Sequence, residues 1–125
     1  MWPILAAAGV AMAVAYEWLR RRRFKDLPSM SDDDFASAIV QRRPDLKRDD
    51  ILRWRRFVAD TIGLPARYVT PTTRLSALAP LCDAGLTLQP GDLIEEVMAR
   101  ARKRVRSPAD VPDELGEIVV LLASA

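Results

Sequence analysis

Apolar and polar positions divide the chain near residue 20. Residues 2–19 are apolar apart from a few small or aromatic positions and the single charge of Glu17, and they run directly into Arg20, Arg21, Arg22 and Arg23. A bilayer core of ~30 Å takes about 20 helical residues at ~1.5 Å each, so this run predicts an N-terminal transmembrane helix. Trp2, Tyr16 and Trp18 stand at its two ends, as interfacial aromatics do. Ala13-Val14-Ala15 has the small-x-small form of a cleavage site. Signal peptides, however, carry their positive charge ahead of the apolar run, whereas here it follows. The expectation is therefore an uncleaved single-pass anchor over residues 1–23. The positive-inside rule sets its N-terminus outside, the main domain at the cytoplasmic face of the inner (plasma) membrane, and the four arginines at the lipid headgroups.

Beyond the anchor the periodicity becomes helical. Pro28 and the lack of a repeat mark residues 24–30 as a linker. Ser31 followed by Asp32, Asp33 and Asp34 is a helix start, with a hydroxyl cap and acids at the positive end of the dipole. Phe35, Ala38 and Ile39 give that helix an apolar edge before Pro44. A second helix begins at Asp45 or Asp49 and stops at Gly63. It carries Ile51, Trp54, Val58 and Ile62 on one face, with Arg53, Arg55 and Arg56 read as a solvated surface and Asp49/Arg53 and Arg56/Asp60 as i,i+4 pairs. Residues 64–73 are an ordered loop. Leu75, Leu78 and Leu81 suggest a short turn interrupted by Pro80. A third helix runs from Pro90 or Asp92 to about Val105, with Leu93, Ile94, Val97, Met98, Ala101 and Val105 inward. Ser107-Pro108 ends it, and Pro112-Asp113-Glu114 opens a last helix over residues 115–123. No hairpin signal and no repeat emerges. Residues 31–125 are thus predicted to be an all-α, four-helix domain with Ile51, Trp54, Val58, Val97, Met98, Ile118 and Leu122 in its core.

Charge and rare residues then narrow the chemistry. Of 19 basic and 17 acidic residues, residues 1–25 hold five and one, leaving 14 basic against 16 acidic, or −2, for the rest. The basic character belongs to the N-terminal flank, and nucleic-acid binding by the domain has no electrostatic warrant. With no histidine and one cysteine, intrachain disulfides, Cys/His zinc sites, His-dependent triads and haem ligation are all excluded. Cys82 reads as a small core side chain. The three adjacent aspartates are better explained by capping than by a cation, because no calcium-loop pattern follows. No pair of carboxylates at a recognisable spacing suggests an enzyme.

One resemblance bears on the fold. A helix closing in Ile62-Gly63-Leu64-Pro65, then Tyr68-Val69-Thr70-Pro71-Thr72-Thr73-Arg74-Leu75, a long loop, and Gly85-Leu86 ahead of a core helix together resemble the acyl carrier proteins over roughly residues 49–123. That family attaches phosphopantetheine to a serine in an Asp-Ser-Leu motif at the start of its second helix. Here the stretch reads Gly85-Leu86-Thr87-Leu88-Gln89-Pro90-Gly91-Asp92. Thr87 is the nearest hydroxyl, no aspartate precedes it, and Ser76 lies too early. The resemblance therefore implies the fold in a serine-lacking branch without phosphopantetheine, and the residue content leads to the expectation of no other cofactor or metal.

The expected function is a non-catalytic protein-interaction module, tethered at the membrane and docking a protein partner. A carrier modified at Thr87 or Ser76, and a small accessory subunit packing through the small-residue face of Ala6, Ala7, Ala8, Gly9, Ala11, Ala13 and Ala15, are the alternatives. Two surfaces stand out for contact. Val119, Val120, Leu121, Leu122 and Ala123 leave the last helix without a polar side, so Val120 and Leu121 are read as partner-binding, with a C-terminal helix wedged centrally among the others as the alternative. Arg102, Lys103 and Arg106 are read as meeting anionic lipid or an acidic patch on a partner.

Overall fold

The computed structural model describes residues 2–24, 27–78 and 88–125. Five α-helices are named within them: α1 Trp2–Phe24, α2 Asp32–Arg42, α3 Arg48–Ile62, α4 Pro90–Arg100 and α5 Leu115–Ser124. Single 3₁₀ turns lie at Ala66–Tyr68 and Pro108–Asp110, and residues 75–78 form a further helical turn. The described residues contain no strand, only an isolated bridge between Arg74 and Glu114. The domain is all-α, as the periodicity predicts.

The membrane span requires correction. Among the described residues, no helix is long and apolar enough to cross a membrane. The transmembrane anchor, the single-pass inner-membrane location and the N-outside topology all rested on that span, and they do not stand. The composition of α1 gives the physical reason. Of its 23 residues six are alanine and one is glycine, while Glu17 and the four arginines take up its C-terminal turns. Large apolar side chains are therefore interleaved with small ones, and charge occupies the end of the helix.

Helix boundaries follow their local chemistry. The Ser31 side chain accepts from the Asp34 amide at 3.2 Å and starts α2, so Asp32, Asp33 and Asp34 fill a first turn where acids are favoured. α3 ends at Gly63, whose φ of 88° lies in the left-handed region; glycine takes that conformation without a Cβ penalty, and its amide returns to the Ala59 carbonyl. α4 is shorter than its apolar pattern suggests. It stops at Arg100, and the Ala101 carbonyl then accepts from both the Arg104 and Val105 amides, folding residues 101–105 into a tight turn. Ala101 and Val105 stay buried through that turn, so the inward pattern persists although the helix does not.

The core joins all the helices of residues 31–125. Ile51, Val58 and Ile62 of α3, Leu93 and Val97 of α4, and Leu115, Ile118, Val119 and Leu122 of α5 are buried together with Phe35 and Ile39 of α2. Trp54 and Met98, expected at the centre, are half-buried against its margin. Trp54 stands edge-on to Phe57 at 5.3 Å, and Arg100 of α4 lies over the Phe57 ring at 4.7 Å. One splice closes the bundle. The Leu75 amide donates to the Asp113 carbonyl and the Leu115 amide to the Thr73 carbonyl, both at 2.8 Å, while the Gly116 amide reaches Pro71 at 3.2 Å.

Residues 27–30 are not a free linker. Phe24 is buried with its ring 5.4 Å from that of Tyr68, and the Met30 amide donates to the Arg67 carbonyl at 2.8 Å. This segment is tied along the Ala66–Tyr68 turn.

Candidate functional site

Four basic residues crowd the end of α4 and the turn that follows it: Arg100, Arg102, Lys103 and Arg104. With Ala101 and Val105 turned into the core, the intervening residues are exposed. Residues 99–104 together with 124 and 125 line a surface concavity of ≈ 380 Å³. Its wall is fixed from the far side by α5. An Arg104 guanidinium N–H donates to the Ser124 hydroxyl at 2.8 Å, and that hydroxyl donates in turn to the Leu121 carbonyl at 3.3 Å. Arg100 is held by Glu96 at 2.5 Å. No acidic side chain lines the concavity, and among the described residues Arg102, Lys103 and Arg104 make no ion pair.

Arg102 and Lys103 thus share one basic face, as their positions in the sequence suggest. Arg106 is exposed but stands apart from the concavity; its amide and that of Ser107 donate to the Asp110 carboxylate, both at 3.2 Å. Val120, read as a partner contact, is instead buried in the core, and Leu121 is half-buried against it. The apolar run of α5 has a bland cause: the helix is wedged between α3, α4 and the 71–75 segment, so little of it meets water. Arg20, Arg21, Arg22 and Arg23 lie on the C-terminal turns of α1. Thr87 and Cys82 fall outside the described residues. Ser76 does not offer a free hydroxyl, since its Oγ donates to Asp113 at 2.7 Å and its amide to the same carboxylate at 3.0 Å.

Arg55 is the residue that sequence reasoning misplaced. Read as part of a solvated arginine face, it is 1% exposed and the largest fully buried side chain of the protein's described part. Its Nε donates to the Val69 carbonyl at 3.0 Å, one terminal nitrogen to Asp32 at 2.6 Å and the other to the Met30 carbonyl at 2.7 Å, with the guanidinium over the Phe35 ring at 4.6 Å. Burial pulls its pKa below the usual arginine value, while the hydrogen bond and charge of Asp32 oppose that shift; guanidinium remains protonated in proteins all the same. The signal available in the sequence was position alone, for Arg55 lies one turn from Ile51 and Ile62 lies two turns on, along the apolar stripe.

Two of the three aspartates of α2 are likewise engaged in ion pairs. Asp32 binds Arg55 and Asp33 binds Arg48, whereas Asp34 engages the cap only through its backbone amide, which donates to the Ser31 hydroxyl, and its carboxylate sits at the favoured positive end of the helix dipole. Among the described residues no group of three or more His, Cys, Asp or Glu side chains could hold a metal ion. The i,i+4 pairing expected for Asp49 and Arg53 is replaced by an i,i+3 pair of Asp50 with Arg53 at 3.6 Å.

One other surface is chemically distinctive. Of the described side chains of α1, only that of Phe24 is buried, and among the described residues the exposed large apolar side chains are all on this helix, Ile4 at 73% and Met12 at 75% among them. No protein-family model, no curated protein and no solved structure matches the chain.

Proposed function

We propose that the protein is a non-catalytic interaction module in which a carrier-like helical domain presents α1 as a docking arm for the helices of a partner protein. The observation that carries this reading is the exposure of Ile4, Leu5, Val10, Met12 and Val14 on one helix that meets the rest of the domain through Phe24. Contiguous exposed apolar surface of that kind marks an interaction site. Burying five such side chains is worth roughly 7 kcal/mol or more before the cost of association, enough to sustain binding once that cost is met. The alanines between them keep the helix thin, so a partner helix approaches closely.

The carrier-like fold is supported by the order of elements: a long helix ending at Gly63, a loop through residues 64–74, a second core helix, a short turn at Pro108–Asp110 and a last helix. Carriage of a thioester is the rival reading. Ser76 is engaged by Asp113, which disfavours it. Intact mass after coexpression with a phosphopantetheinyl transferase discriminates the two, and a gain equal to the prosthetic arm would establish the carrier.

Pull-down with the full chain tests the docking arm. Replacing Ile4, Leu5, Val10 and Met12 with serine should abolish capture of partner proteins and leave the thermal transition of the domain in place. Undiminished capture would overturn the role assigned to α1.

A further inference from the structure

The concavity beside the 101–105 turn stands apart from α1, and nothing in the docking reading uses it. Arg100, Arg102, Lys103 and Arg104 bring four positive charges into five residues. Helix ends explain part of this, because α4 and α5 both terminate here and each presents about half an elementary negative charge. Two such ends offset roughly one of the four cations. Glu96 offsets a second by pairing with Arg100. Arg102 and Lys103 make no ion pair among the described residues, and they flank a hollow whose rim is already fixed by the bond from Arg104 to Ser124.

We propose that this concavity binds the phosphate group of a small organic phosphomonoester. A phosphate group carries close to two negative charges at neutral pH, which suits a hollow lined by bases that no acidic side chain faces. The guanidinium of Arg102 supplies a planar fork for two phosphate oxygens, and Lys103 a compact point charge beside it. The concavity volume of ≈ 380 Å³ falls in the range of small-molecule sites. Exposed Ala99 contributes apolar wall beside the bases, so the organic part of the ligand has a surface to rest on while its phosphate meets them. Arg104, already bonded to Ser124, keeps its remaining donors available and its position fixed, which lowers the ordering cost of binding.

The test is titration of the full-length, isotope-labelled chain with inorganic phosphate and with phenyl phosphate at constant ionic strength, read from backbone amide shifts. Saturable shifts confined to residues 99–104, 124 and 125, with phenyl phosphate the tighter probe, are expected. Affinity should rise between pH 5 and 7.5 as the phosphate loses its second proton near pH ~6. Arg102→Ala/Lys103→Ala should weaken binding at least tenfold, and Arg102→Lys much less. Because the pH dependence is read on the unaltered protein, it decides the matter even if the double variant misfolds. Shifts no different from those given by chloride would overturn the site. Equal affinity for the two probes would reduce it to free phosphate and overturn the organic ligand. Binding of poly-glutamate in the absence of binding by either phosphate would show a surface for acidic macromolecules instead.

Discussion

At the scale of single residues, Arg55 does most to hold connecting segments in place. It fastens the Met30 and Val69 carbonyls, which come from segments before α2 and after α3, to the middle of α3. Arg55→Ala would leave those carbonyls without their donor and open a cavity over Phe35, costing about 3 kcal/mol in a denaturant titration. Arg55→Lys keeps the charge but not the three-way fork, and most of that loss should persist. Asp45 offers a milder test at the protein surface. The hydrogen bond from Arg43, at 2.9 and 3.0 Å to its two oxygens, holds its carboxyl below the usual carboxylate range. A depressed folded-state value means that the contribution is complete above the unfolded pKa and disappears as pH falls through the folded one. Carbon-detected NMR titration should therefore give Asp45 a lower midpoint than it has in Arg43→Ala.

At the scale of elements, the splice between residues 71–75 and α5 is the tightest contact. A Cβ on Gly116 would stand 2.6 Å from the Pro71 carbonyl oxygen and 2.7 Å from its Cα. Gly116→Ala gains up to about 1 kcal/mol of helix propensity, but overpacking against backbone costs about 1–3 kcal/mol, so the variant should melt lower. Much of the element plan was legible in the sequence because it depends on local signals. Ser31 before three aspartates, Gly63 with Pro65 beyond it, and Pro108 each mark a boundary through one or two residues. Arg55 was not legible, because a basic residue on an apolar stripe enters a core only where distant carbonyls converge on it, and those lie 14 and 25 residues away. The end of α4 was missed for a related reason. Ala101 and Val105 keep their inward spacing in a tight turn as they would in a helix, so apolar periodicity alone does not separate the two. The apolar run of α5 suggested a surface for a partner, yet it reflects burial on several sides at once. Val120→Ser should accordingly lower the stability of the domain in thermal melts, by about 1–3 kcal/mol.

For the whole molecule, the contrast lies between a bundle with a shared core and an α1 whose apolar side chains face outward. The apolar run at the N-terminus was easy to see but misread, because the length of a run and its apolarity are separate conditions. α1 meets the first with its 23 residues, but alanines, Glu17 and the arginines dilute the second. Removing residues 1–23 should leave the core of residues 31–125 intact, with a thermal midpoint within a few degrees of the full chain, since Phe24 alone of the described α1 side chains is buried. The splice has a further consequence, for the order in which the chain folds. Its bonds join Leu75 to Asp113 and Leu115 to Thr73, so α5 closes a loop several times longer than any helical turn. Loop closure must be met before those contacts reward it, which places the splice after the transition state, once α3 and α4 have met. Perturbing it should therefore speed unfolding and leave refolding nearly unchanged. In a chevron plot, Gly116→Ala should lift the unfolding limb and leave the folding limb superimposed on that of the parent chain.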